Sequence, residues 1–119
     1  MSVPSIPAAE LVTAMLNGEK PVVIDIRTPA EFAAKRLADA ETINIKPHEV
    51  IEKLNALFPD KTIPLHFLCI AGETSKEPVR KAVMAGYSNA RTIEGGFRLC
   101  ERLGARIKTA PASRPPVPR

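Results

Sequence analysis

Strict alternation of short strand candidates with segments of helical period predicts an α/β fold, a parallel sheet covered by helices on both faces. Four strand candidates occur: VVIDI (22–26), TINI (42–45), IPLHFLCI (63–70) and ARTIE (90–94). The first and third are apolar at consecutive positions, the pattern of strands buried on both faces rather than half-exposed ones.

Each element has a local cause. Pro7 to Asn17 sets Ala8, Leu11, Val12, Met15 and Leu16 on one helical face, and Gly18 stops it. After VVIDI, residues Thr28, Pro29 and Glu31 read as the N-cap, first-turn proline and capping-box partner of a helix that carries Phe32 and Leu37 inward. Beyond TINI, a helix from Pro47 to Leu57 buries Val50, Ile51, Leu54 and Leu57, and PDKT turns the chain into IPLHFLCI. The next helix runs from about Ser75 to Ala85 and ends at Gly86. ARTIE leads through Gly95-Gly96 into a last helix from Phe97 to about Ile107. Residues 1–107 then form one domain. The segment 108–119 is proline-rich and basic with little to bury, so it is expected to be a disordered or polyproline-like tail.

Charge excludes one function class. The chain carries a net charge of +4, but residues 1–105 hold as many Lys and Arg as Asp and Glu; the excess is Arg106, Lys108, Arg114 and Arg119. A balanced domain with one tyrosine and no tryptophan lacks the basic face and stacking residues that nucleic-acid binding needs. There is no apolar run near the length of a spanning helix and no basic, then apolar, leader, so a cytoplasmic protein without membrane partners is expected. Cys69 and Cys100 are then expected as thiols. Two cysteines and two histidines at unrelated spacings assemble no metal site.

Cys69 stands at the end of the strongest strand, where open parallel sheets hold their ligands. In the loop CIAGET, Ala71 and Gly72 offer little obstruction, so successive amides can converge on one point. Thr74 or Ser75 reads as the cap of the following helix, with Glu77 as the capping-box partner of Thr74 and Pro78 still in the permissive first turn. An amide cradle at a helix start favours negative charge and lowers a thiol pKa, making Cys69 a nucleophile candidate. The competing reading is a small buried residue that closes a core strand.

Three ordered motifs break that tie. VVIDIRTPAEF, CIAGETS and AGYSNARTIEGGF together resemble the rhodanese family of sulfurtransferases over nearly all of residues 5–105. The resemblance implies a rhodanese-like α/β fold with a four- to five-stranded parallel sheet. It also implies a sulfurtransferase that moves sulfane sulfur from a donor such as thiosulfate to cyanide or a thiol through a Cys69 persulfide. Ile70, Ala71, Gly72, Glu73, Thr74 and Ser75 would bind the substrate and persulfide, with Asp25 and Arg27 in support. No cofactor or metal is implied. The expected partners are a small-molecule donor and acceptor, with an acceptor protein as a further one.

Ile70 and Glu73 depart from the Arg or Lys that many thiosulfate-using members carry in this loop. An acidic side chain there opposes a dianionic donor unless Lys76, Arg80 or Arg98 compensates. The alternative is a rhodanese-like sulfur-relay or protein-binding module with little turnover of its own. A phosphatase of Cys-x5-Arg type is disfavoured because Ser75 stands at the arginine position. Cys100, at a position usually held by tryptophan, reads as core rather than as a resolving thiol. Arg27 is expected to pair with Glu31 and Asp25 to accept loop amides. His66 reads as a satisfied core histidine and His48 as solvated.

Overall fold

The computed structural model describes residues 3–110. Strand β1 (Ser5–Pro7) leads into helix α1 (Ala8–Leu16), followed by β2 (Val22–Asp25) and α2 (Pro29–Ala34). Next come β3 (Lys35–Leu37), β4 (Glu41–Asn44), a 3-10 turn (Pro47–Glu49) and α3 (Val50–Leu57). The described residues close with β5 (Leu65–Leu68), α4 (Lys76–Met84), β6 (Ala90–Glu94), α5 (Gly96–Arg102) and β7 (Ile107–Thr109).

Five strands form one sheet in the order β1-β6-β5-β2-β4, and every pairing is parallel. Alternation along the strands divides the core into two layers. Val23 and Leu68 face α1 and α5, packing with Leu11, Val12, Met15, Phe97 and Cys100. Their neighbours Ile24 and Phe67 face α3 and α4, packing with Val50, Leu54, Val79 and Ala82. The parallel α/β expectation holds, and the sheet has five strands.

The chain runs from β2 outward to β4, recrosses the sheet to β5, and then runs outward the other way to β6. The winding therefore reverses between β2 and β5, and a crevice opens there beyond the carboxyl ends of both strands.

Several boundaries differ from the sequence expectation. Residues 5–7 form edge strand β1, paired with Thr92–Glu94, before the helix begins at Ala8. Prolines are compatible with an edge strand but mask it in sequence. Leu37 is buried in β3 rather than on α2, which ends at Ala34. The last helix stops at Arg102 because Gly104 and Ala105 donate back to Glu101 and Cys100, a terminating turn. Beyond it, β7 pairs antiparallel with β3, Leu37 opposite Ile107 and Lys35 opposite Thr109. Ordered pairing thus extends two residues past the domain end expected at 107, and the proline-rich remainder, 111–119, lies outside the described residues.

Candidate active site

The crevice between β2 and β5 holds a cavity of about 250 Å³, with Ile26, Arg27 and Thr28 on one wall and Cys69 to Ala71, Glu73 and Thr74 on the other. Ile26 continues the sheet, donating to Leu68 O at 2.9 Å, so the two walls are held in register. Cys69 lies at the bottom, 2% exposed.

The loop after β5 is shaped from behind. The amides of Phe97 and Arg98, in the first turn of α5, donate to the carbonyls of Cys69 and Ile70 at 2.7 and 3.0 Å. In a trans peptide the N–H points opposite to the preceding carbonyl, so this anchoring turns the next amides away from α5. Gly72 then donates its N–H to Cys69 Sγ at 3.0 Å. Both glycines at this contact are sterically required. A Cβ at Gly72 (φ +92°) would lie 2.8 Å from Gly95 N, and one at Gly96 (φ +64°) would lie 2.5 Å from Cys69 O.

The helix cap expected at Thr74 or Ser75 does not form. Ser75 occupies the N-cap position of α4 with helical dihedrals and caps nothing with its side chain. Its buried hydroxyl lies 3.3 Å from Cys69 Sγ and shares a hydrogen bond with the Thr92 hydroxyl of β6. Glu77 pairs with Arg80 instead of closing a capping box. With a thiolate at position 69, Thr92 donates to Ser75 and Ser75 to sulfur, a polarised chain. Thr92, a hydroxyl in the strand ARTIE, escaped the sequence reading.

Burial is the largest influence on the Cys69 thiol and raises its pKa. The side chains of Ser75 and Thr74 and the amides of Ser75 and Gly72 together outweigh it, and the net shift is downward from the ordinary 9.0.

The other wall is fixed by Asp25 and Arg27. Arg27 does not reach Glu31, which the Thr28 capping box occupies. It turns back instead onto the fully buried Asp25, with Nη2 to Oδ2 at 2.7 Å and Nε to Oδ1 at 3.0 Å. Asp25 Oδ1 also accepts the Arg27 amide at 3.0 Å, the loop-amide contact expected of it. Arg27 further donates to Lys35 O and lies 4.0 Å over the Phe97 ring. Asn44, at the end of β4, donates to the carbonyls of Asp25 and Arg27 and was not singled out in sequence.

Ile70, Ala71, Glu73 and Thr74 are exposed around the mouth, whereas Gly72 and Ser75 are buried beneath it. Of the candidate compensating cations, Lys76 pairs with Glu73 at 3.2 Å and Arg80 with Glu77. Arg98 is exposed and lines no part of the Cys69 cavity. Cys100 is sealed in the opposite core layer, where burial pushes its pKa to about 11. His66 is buried with Nδ1 3.1 Å from Val22 O, and His48 is exposed. Among the described residues no cluster of His, Cys, Asp and Glu could hold a metal, and no helix is long and apolar enough to cross a membrane.

Residues 8–101 match the family model of the rhodanese-like domain. The chain is 32% identical over 84 residues to a thiosulfate sulfurtransferase GlpE of Pseudomonas entomophila, covering 71% of this chain and 73% of that one. A solved rhodanese-related protein of Thermoplasma volcanium is 28% identical with a TM-score of 0.73, covering 88% of this chain and 97% of its own. The rhodanese-like domain of an Anabaena protein, 17% identical, shares the fold with a TM-score of 0.80, over 100% of this chain and 88% of its own.

Proposed function

The chain belongs to the rhodanese-like family, and on that premise we propose that it transfers sulfane sulfur through a persulfide on Cys69. The Cys69 thiolate attacks the outer sulfur of a donor such as thiosulfate; the donor S–S bond breaks, sulfite leaves with the electron pair, and a new Sγ–S bond forms. In the second half-reaction an acceptor, cyanide or a thiolate, attacks the outer sulfur and Cys69 departs as thiolate. Neither half-reaction needs a cofactor, because main-chain and hydroxyl donors stabilise negative charge on both sulfur species.

One observation carries this reading: Gly72 N–H and the Ser75 hydroxyl converge on Sγ at 3.0 and 3.3 Å, at the bottom of a cavity open to small molecules. Asp25 and Arg27 support it by fixing the facing wall. Sulfur transfer to cyanide should fall to background in Cys69→Ser and persist in Cys100→Ser. Full turnover in Cys69→Ser would overturn the proposal.

A second reading, a sulfur relay or protein-binding module with little turnover, is favoured by the apolar Ile70 side chain exposed beside the cavity. In that case an acceptor protein replaces the small thiol. Gain of one sulfur atom on Cys69 without turnover to small acceptors would select it. The site would operate in the cytoplasm under either reading.

A further inference from the structure

We propose that the Glu73–Lys76 ion pair sets the donor preference of the Cys69 site, disfavouring dianionic inorganic donors and favouring organic persulfides of low charge. The proposal rests on the sulfur-transfer reading of Cys69. Ile26, Ile70 and Ala71 make much of the cavity wall apolar, and its charged members are Arg27 and Glu73. The Arg27 guanidinium is already committed to Asp25, to Lys35 O and to the Phe97 face. It cannot turn to a donor without leaving a buried carboxylate unpaired.

The remaining charge comes from the loop itself. A second cavity of about 520 Å³ flanks the loop on its other side, sharing Ala71 and Glu73 with the first and adding Lys76 and Arg80. Glu73 therefore stands on the ridge between the two. It adds a negative charge at the mouth and also neutralises the Lys76 ammonium at 3.2 Å, while Glu77 neutralises Arg80.

The two donor classes place different demands on such a site. Thiosulfate brings two negative charges to a thiolate, so three must share a wall without an uncommitted cation. With an alkyl persulfide, Cys69–S⁻ attacks the outer sulfur of R–S–SH and the donor S–S bond breaks. The leaving RS⁻ takes up the persulfide proton as RSH, and Cys69–S–S⁻ remains; such a donor brings at most one negative charge, against two for thiosulfate. Its alkyl group meets the apolar wall.

The test compares kcat/KM for thiosulfate with that for a small alkyl persulfide in wild type, Glu73→Gln and Glu73→Gln/Lys76→Gln. Glu73→Gln frees the Lys76 charge and should raise the thiosulfate-to-persulfide ratio about fivefold at low salt. The gain should shrink with ionic strength and fall back in the double variant. A ratio within about twofold of wild type in Glu73→Gln, with both donors loading sulfur on Cys69 by mass spectrometry, would overturn this inference alone. Loading by neither donor would overturn the sulfur-transfer reading and this inference with it.

Discussion

Two thiols in one small domain are tuned in opposite directions by what surrounds them. Cys100 has burial and little to offset it, and its pKa rises to about 11. Cys69 is almost as inaccessible, but side-chain and amide donors overcompensate and its pKa falls below 9.0. The Cys100 shift has a stability consequence. Between pH 9 and 11 the unfolded chain gives up the Cys100 proton while the folded chain keeps it, so stability falls as pH rises through that window. This contribution should total about 2 to 3 kcal/mol, so in urea titrations the stability lost between pH 8 and 11 should be larger by about that amount in wild type than in Cys100→Ala. Arg27 gives the second expectation at this scale. Arg27→Ala leaves the fully buried Asp25 carboxylate without its partner and should cost about 3 to 5 kcal/mol, read as a fall in the urea midpoint.

At the scale of elements, the site depends on how α5 meets the loop after β5. The first amides of α5 take up the Cys69 and Ile70 carbonyls, and the backbone contact is so close that no side chain fits at Gly96. Gly96→Ala would bring a Cβ within 2.7 Å of three backbone atoms of the loop, Cys69 O, Ile70 O and Gly72 N. It should destabilise the domain by about 2 to 4 kcal/mol and slow alkylation of Cys69 even where the protein remains folded. Circular dichroism run beside an alkylation assay separates the two effects. α4 contributes less by capping than by position, because its N-terminal Ser75 is turned onto the sulfur and Thr92.

For the molecule as a whole, parallel winding decides where chemistry can occur. Reversal of strand order between β2 and β5 brings the ends of two apolar strands, VVID and LHFL, to one crevice, with Arg27 on one side and Cys69 on the other. Much of this was legible in sequence because its causes are local: the apolar runs, the Thr28–Glu31 capping box, and Cys69 at a strand end. What escaped was set by distant partners. Strands β1, β3 and β7 are three residues each and exist through their pairings with β6 and with one another. Thr74 with Glu77 had the local pattern of a capping box and Ser75 that of a cap, but contact with Cys69 and Thr92 offered the hydroxyl of Ser75 a better use. Arg27 had Glu31 one turn ahead, yet the nearer Asp25, desolvated in the core, was the stronger partner.

Hydrogen-bond donors lower the pKa of the Cys69 thiol despite burial, and this is read from the pH dependence of its alkylation by iodoacetamide. The native protein should show a midpoint below 9.0, moving upward in Ser75→Ala. A midpoint at or above 9.0 in the native protein, unmoved by that substitution, would contradict the account.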